Sequence, residues 1–488
     1  MKMRPQQEGS KRLKAWASEH WPLGIVLLAS LIIRIVVYLF YAPISYSDTR
    51  TYYRLAQQIL LGWSNYDGSR TPGYPAFLAV LRTDQSVWLA QMGMGVILTL
   101  LLYFLGWQMG AGLEHKKRWR LAVLAALAHT LNLGQLFFES SLLSETLATF
   151  LVILTIAGWV YGYRVPKART IWLAAGMGLC SALAILTRGL FIFLPFWTLL
   201  MMWFYWVGKP GSPGPWTPFP SAEKSSRGSL WKAAFLRLKG TFPTLLAFLV
   251  PLSLVIGLWI GFIRVYYNQW GLETMGGFHL IQNTGTFFEY VPDEYAAIRD
   301  TYLKYRDEKI DQTGTQTNVI WKAIPEMMEV SGLGFYDLSR TVGKISIDLI
   351  RGHPDLYLLN VVRGWWLFWR APIYWSPDSL KWSGLVPVIN VLIFVERLLL
   401  WGLNILFLIT SLVVIWPPLR KTWRLSAIHG YLLGTIWTTS IVQSLLDHGD
   451  NPRFLIPLQS LVVLWGLWFG FRFLLVDRNS GKAYPKSK

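Results

Sequence analysis

The stretch WPLGIVLLASLIIRIVVYLFY, from Trp21 to Tyr41, carries one charge, Arg34, in 21 residues. At about 1.5 Å of rise per residue, a helix of this length spans the roughly 30 Å hydrocarbon core of a bilayer. Similar apolar runs recur at approximately 86–110, 120–138, 141–162, 171–187, 190–207, 244–264, 397–416, 425–446 and 454–475. Together they predict ten spans. The stretch 384–418 has room for an extra half-helix, so the expected range is ten to thirteen. Composition agrees: 53% of the 488 residues are apolar and 15% are charged, against about 25% charged in soluble domains. The expected fold class is an all-α polytopic membrane protein.

The net charge of +19 and pI near 9.8 would suit a nucleic-acid partner, but the distribution of charge argues against one. The N-terminal tail, the loops at 114–120, 163–170, 208–243 and 417–424, and the tail from Arg472 hold 26 of the 46 Lys and Arg residues. They hold only 5 of the 27 Asp and Glu residues, and the remainder is balanced at 20 against 22. This positive-inside bias places both termini in the cytoplasm, in agreement with an even number of spans. The N-terminal run is too long for a signal peptide and lacks a small-residue cleavage site, so it reads as an uncleaved anchor. The single cysteine, Cys180, allows no intrachain disulfide.

Four units are expected. They are an N-terminal membrane module (1–263) with a catalytic first outer loop (42–85), an extracytoplasmic segment (264–383), C-terminal membrane helices (384–476) and a tail (477–488). In the first outer loop, Thr49–Leu61 places Tyr52, Leu55, Ala56 and Ile59 on one helical face, with Arg50, Arg54 and Gln58 turned away. Such a helix lies in the interface. Thr71–Pro75 reads Thr-Pro-Gly-Tyr-Pro and fixes a bend before a short apolar helix ending near Leu81. In the long outer segment, Trp365, Trp366 and Trp369 read as an interfacial belt. The inner loop 208–243 begins Lys-Pro-Gly-Ser-Pro-Gly-Pro, a linker composition.

A charge at mid-bilayer costs about 2.5–3.5 kcal/mol on the insertion scale, so ionisable residues near membrane depth carry information. On this topology Asp48, Arg70, Glu139, Glu145, Arg188, Asp447, His448, Asp450 and Arg453 gather at the outer ends of spans. Arg34 is expected to snorkel outward. Glu396 and Arg397 are expected to pair with each other or with solvent. Asp48 is the foremost candidate, although Ser47 and Asp48 are also good N-cap residues. Glu145 has the alternative of favouring a helix dipole from the first turn. Arginine suits phosphate because its donors form a planar fork. No P-loop, dinucleotide fingerprint, H-E-x-x-H or G-x-S-x-G occurs.

Five short motifs occur in order. They are Tyr46–Tyr53 (YSDTRTYY), Arg70–Pro75 (RTPGYP), Leu143–Leu147 (LSETL), His353–Leu358 (HPDLYL) leading to Arg363 and Trp365, and Asp450–Pro457 (DNPRFLIP). In this order the chain resembles the GT-C superfamily of membrane glycosyltransferases. Within it, the resemblance is to the branch holding the bacterial relatives of protein O-mannosyltransferases and the lipid A aminoarabinose transferase, a family 39-like group. The resemblance implies an inverting transfer from a polyprenyl-phosphate-linked sugar donor to a hydroxyl of an envelope lipid, glycan or protein. It places the site on the outer face of the cytoplasmic membrane.

The resemblance assigns Asp48 as general base and Glu145 as the acid opening the fourth span. It places Arg70 nearest to the donor-phosphate lysine of the aminoarabinose branch and matches Arg453 to the arginine before the last span. By position, Arg188 joins them as a donor-phosphate candidate, and Tyr52, Tyr74, Glu139 and His448 are the further pocket candidates. Protein mannosyltransferases commonly carry Asp-Glu where this chain has Asp48-Thr49, a departure that argues against a protein acceptor. No cofactor is required by the sequence and no metal ligands are assigned, although Mg or Mn is compatible with the chemistry. The alternative is a transporter or flippase for a lipid-linked or anionic solute, which would place its essential charges at mid-membrane.

Overall fold

A computed structural model describes residues 5–162, 167–205, 227–370, 373–416, 418, 423, 425–447 and 452–474. The inner loop 208–226, the tail beyond 474, and His448 and Asp450 lie outside the described residues. The described chain is largely helical, and an isolated parallel bridge joins Ile44 and Ser141.

The N-terminal part runs through α1 (Pro5–Phe40), α2 (Ser47–Leu61), α3 (Gly73–Leu81), α4 (Asp84–Met109) and α5 (His115–Thr130). It continues through α6 (Leu133–Glu139), α7 (Glu145–Gly162), α8 (Lys167–Thr187), α9 (Leu194–Tyr205) and α10 (Arg227–Tyr267). An outer segment follows with α11 (Gly276–Thr284), α12 (Ala296–Thr313), α13 (Ile320–Ser331), α14 (Phe335–Gly352) and α15 (Pro354–Phe368). The chain then returns to the bundle as α16 (Val386–Ser411), α17 (Ala427–Leu446) and α18 (Ile456–Phe469).

Among the described residues seven helices are long and apolar enough to cross a membrane, or eight if the α5–α6 pair, bent by 52°, is one span. The expectation was ten to thirteen. The difference lies in two elements. The apolar helix Gly189–Trp203 is short for a span. In α17 the apolar residues are diluted by His429, Thr435, Thr439, Ser440, Gln443 and Ser444, all buried against neighbouring helices. Polar side chains at such depth are tolerated when they face protein rather than lipid.

The bundle is layered. The spans containing α7 and α18 are its centre, with 78% of their apolar windows buried, whereas those containing α1, α10 and α16 bury 22%, 17% and 22%. The peripheral helices expose Leu28, Ile32, Leu254, Leu258, Leu398 and Leu399, as lipid-facing surfaces should.

Buried charge is handled by pairing. Arg34 does not snorkel; its guanidinium forks onto Glu139 at 2.7 and 2.6 Å, and both side chains are 2% exposed. Gly95 makes room for the pair, since a Cβ there would lie 2.2 Å from the Glu139 carboxylate. Glu396 and Arg397 do not pair either. Glu396 accepts from the Leu133 and Gly134 amides and so caps α6 where α5 breaks, while Arg397 donates to the Ile373 carbonyl at 2.9 Å. An acidic cap at a helix N-terminus satisfies otherwise orphaned donors.

The outer segment packs its own apolar core from Phe278, Ile281, Phe288, Tyr302, Met327 and Val342, distinct from the main core of the bundle. The tryptophans leading back to the membrane are not all interfacial. Trp369 is buried and stacks on Phe407, Trp365 stacks on Trp437 and donates to Ser440, and only Trp366 is exposed.

Candidate active site

The first outer loop is tied to the chain ahead of α7 by backbone. The Ile44 amide donates to the Ser140 carbonyl at 2.8 Å, and the Leu142 amide donates back to Ile44 at 2.9 Å. Thr49 Oγ1 accepts from the Tyr46 amide and donates to the Leu142 carbonyl. The capping work expected of Ser47 or Asp48 is thus done by Thr49. Ser47 is the first helical residue, and the Asp48 carboxylate is left to other partners. This strap also brings Asp48 to the start of α7, where Glu145 sits.

Arg70 arrives from a turn built for it. Gly68 takes a left-handed φ of 66°, a conformation that costs glycine nothing. Asp67 accepts from the Ser69 amide, and the Tyr66 hydroxyl donates to the Arg70 carbonyl. The next residues enter α3 at Gly73, where a Cβ would lie 2.6 Å from the Leu186 and Thr187 backbone. Glycine there lets α3 lie directly on the end of α8, just before Arg188. Arg453 comes from the turn that leads into α18.

These loops converge on a chain of alternating charge. Arg70 Nη2 donates to Asp48 Oδ1 at 3.0 Å, and Arg453 donates to Asp48 Oδ2. Arg453 Nε lies 3.4 Å from Glu145 Oε1, and Arg188 Nη1 donates to that same oxygen at 2.5 Å. Among the described residues, three guanidiniums therefore meet two carboxylates in this chain. Glu145 is 1% exposed and its Oε2 has no hydrogen-bond partner among the described residues, whereas Asp48 remains 18% exposed. Burial alone would raise the Asp48 carboxyl, but Arg70 and Arg453 outweigh it and hold the pKa at about 2.

Asp48 and Arg70 form part of the wall of two cavities. The larger, about 1350 Å³, also takes in Arg188, Arg453, Tyr52 and Phe454, and has apolar lining at Leu190 and Ile192. Arg188 lies over the Phe454 ring at 5.2 Å. The smaller, about 580 Å³, is lined by Arg54, Gln58, Asp67, Trp321 and Tyr336.

The remaining sequence candidates separate. Tyr52 lines the large cavity with Arg70 above its ring at 6.0 Å. Tyr74 is fully buried behind it, edge-on at 5.0 Å, and donates to Gln91. Glu139 is not brought to the site; it is held by Arg34 within the bundle. His448 lies outside the described residues. Among the described residues no three His, Cys, Asp or Glu side chains converge. Asp48 and Glu145 are both engaged by arginines. The reading of the sequence missed Phe454 under Arg188 and the lysines of the outer segment that face the large cavity. The i, i+4 spacing of Arg340 and Lys344 on an amphipathic helix was the signal for the latter.

No protein-family model and no curated protein matches the chain. Among solved structures it is similar to the archaeal oligosaccharyltransferase AglB from Archaeoglobus fulgidus in complex with an inhibitory peptide and a dolichol-phosphate. The two share 14% identity with a TM-score of 0.41, over 93% of this chain. The chain spans about half the length of that protein.

Proposed function

We propose that this polytopic membrane protein is an inverting glycosyltransferase of the GT-C type, taking its sugar from a polyprenyl phosphate and transferring it to an acceptor hydroxyl at the outer membrane face. The observation that carries this reading is the Arg70–Asp48–Arg453–Glu145–Arg188 chain at the wall of a large, part-apolar cavity. Three arginines converge there, and a guanidinium fork matches a phosphate with two parallel hydrogen bonds. The apolar lining near Leu190 and Ile192 offers an isoprenoid tail an exit toward lipid.

In the reaction, Asp48 takes the proton of the acceptor hydroxyl. The acceptor oxygen bonds to the anomeric carbon as the bond from that carbon to the phosphate oxygen breaks, and the electron pair leaves on the lipid phosphate. Arg188 and Arg453 stabilise the charge gathering there. While two arginines hold Asp48 it is a weak base. A donor phosphate that draws Arg453 toward itself restores basicity where the proton must go, so donor binding readies the base. General-base catalysis of this kind contributes about 10²–10⁴-fold.

The transporter alternative expects unpaired charge at mid-membrane. The deep Arg34–Glu139 pair saturates itself, whereas Asp48, Arg70, Arg188 and Arg453 line one cavity. The direct test is transfer from a radiolabelled polyprenyl-phosphate sugar to envelope extract by purified protein. Asp48→Asn should abolish transfer while leaving expression and membrane insertion intact. Wild-type turnover in that variant removes Asp48 as base, and solute flux into proteoliposomes without acceptor favours the transporter.

A further inference from the structure

Residues 264–382 contain 14 carboxylates and 12 Lys and Arg residues, a slightly acidic balance. The face that this segment turns toward the large cavity has the opposite sign. It presents Lys309, Lys322, Arg340, Lys344 and Arg351 against Glu273 and Asp348. Arg340, Lys344 and Arg351 form one stripe along α14, while Leu338, Val342, Ile345 and Leu349 on its other face are buried in the outer segment's core. The stripe is fixed in place because α14 crosses α11 at Gly277, where a Cβ would meet the Ser339 carbonyl at 1.8 Å.

Within the described residues, Lys309, Lys322 and Lys344 have no carboxylate at ion-pair distance. Lys309 donates to the Thr317 carbonyl and Lys344 to the Tyr295 hydroxyl. Burial and the neighbouring Lys322 charge both lower the Lys309 pKa. Arg340 pairs with Asp337 at 2.6 Å and Arg351 with Asp348 at 3.3 Å along the same helix, so among the described residues the three lysines carry the surplus charge of this wall. From Arg340 to Arg351 the stripe covers about 16 Å at 1.5 Å per residue, farther than a single phosphate reaches.

We infer that the acceptor is polyanionic: a chain with several phosphate or carboxylate charges spaced along it, laid on the basic stripe of α14 with Lys309 and Lys322 across from it, its reacting hydroxyl at Asp48. This deepens the glycosyltransferase reading and rests on it only for the role of Asp48. The basic wall concentrates and aligns the acceptor and performs no chemistry.

The test uses full-length protein in neutral detergent with linear polyphosphate and inorganic monophosphate as probes. Wild type should bind polyphosphate at least tenfold more tightly than monophosphate, with affinity falling steeply as salt rises. The Lys309→Gln/Lys322→Gln/Lys344→Gln variant should lose tenfold or more for polyphosphate while monophosphate binding is unchanged, and the triple Lys→Arg variant should recover it. Asp48→Asn should keep polyphosphate binding, so a failed transfer assay and a failed binding assay are separate results. Equal polyphosphate affinity in wild type and the Gln variant overturns the proposal. So does a Gln variant whose only defect is in binding phosphatidylglycerol nanodiscs, which would make the stripe a membrane contact.

Discussion

At the scale of single residues, the proposed chemistry rests on Asp48 and its two arginines. The Asp48 carboxyl is held at about 2 against an ordinary value of 3.8, so its pairing contributes to folding wherever it is ionised in both states. That contribution is complete above about pH 4 and is lost as pH falls through about 2, with a magnitude on the order of 2 kcal/mol. The stability difference between wild type and Asp48→Asn should therefore be constant from pH 8 to 5 and shrink in stronger acid, as followed by thermal unfolding in detergent. A difference that changes between pH 7 and 6 would assign the titration to another group. Arg453 touches both carboxylates, so Arg453→Gln should lower transfer by 10²-fold or more, whereas Arg453→Lys, which keeps the charge but not the fork, should recover part of it. Initial rates with the radiolabelled donor decide this.

At the scale of elements, close backbone contacts aim the site. Gly73 lets α3 rest on the end of α8, with 2.6 Å between its would-be Cβ and backbone atoms that cannot swing away. Gly73→Ala should force these helices apart, costing about 1–3 kcal/mol, and because Arg70 and Arg188 flank the contact it should lower kcat more than it lowers stability. Unchanged kcat in a folded variant would show that the two arginines are positioned independently. The Arg34–Glu139 pair staples α1 to α6. Breaking one side of a buried pair costs about 3–5 kcal/mol because the survivor is left uncompensated. Glu139→Gln should therefore be markedly destabilised, and Arg34→Met/Glu139→Leu should be less so. Thermal unfolding of the three proteins measures the coupling.

At the scale of the whole molecule, the membrane bundle and the outer segment meet around one large cavity whose wall draws on both. Ligand binding there should stabilise the full chain. By linkage, polyprenyl phosphate at a hundred times its Kd adds about 2.7 kcal/mol. A raised Tm in wild type, absent in Arg188→Gln/Arg453→Gln, is the expected result, read by nanoscale fluorimetry on the many tryptophans. An equal rise in both proteins would place the lipid elsewhere.

The fold class was legible from the spacing of apolar runs alone, because a bilayer imposes length and composition on every segment that crosses it. The amphipathic helix of the first outer loop was legible for a similar reason: Tyr52, Leu55 and Ala56 recur at helical spacing, and each is buried. The partners of charged residues were not legible. Arg34 reaches Glu139 across 105 positions and Asp48 reaches Arg453 across 405, and no local pattern encodes such a match. Glu139 and Glu145 look alike in sequence, six residues apart at the outer end of a span. Only packing decides that one is neutralised inside the bundle while the other joins the arginines, since a charge at membrane depth is defined by what faces it.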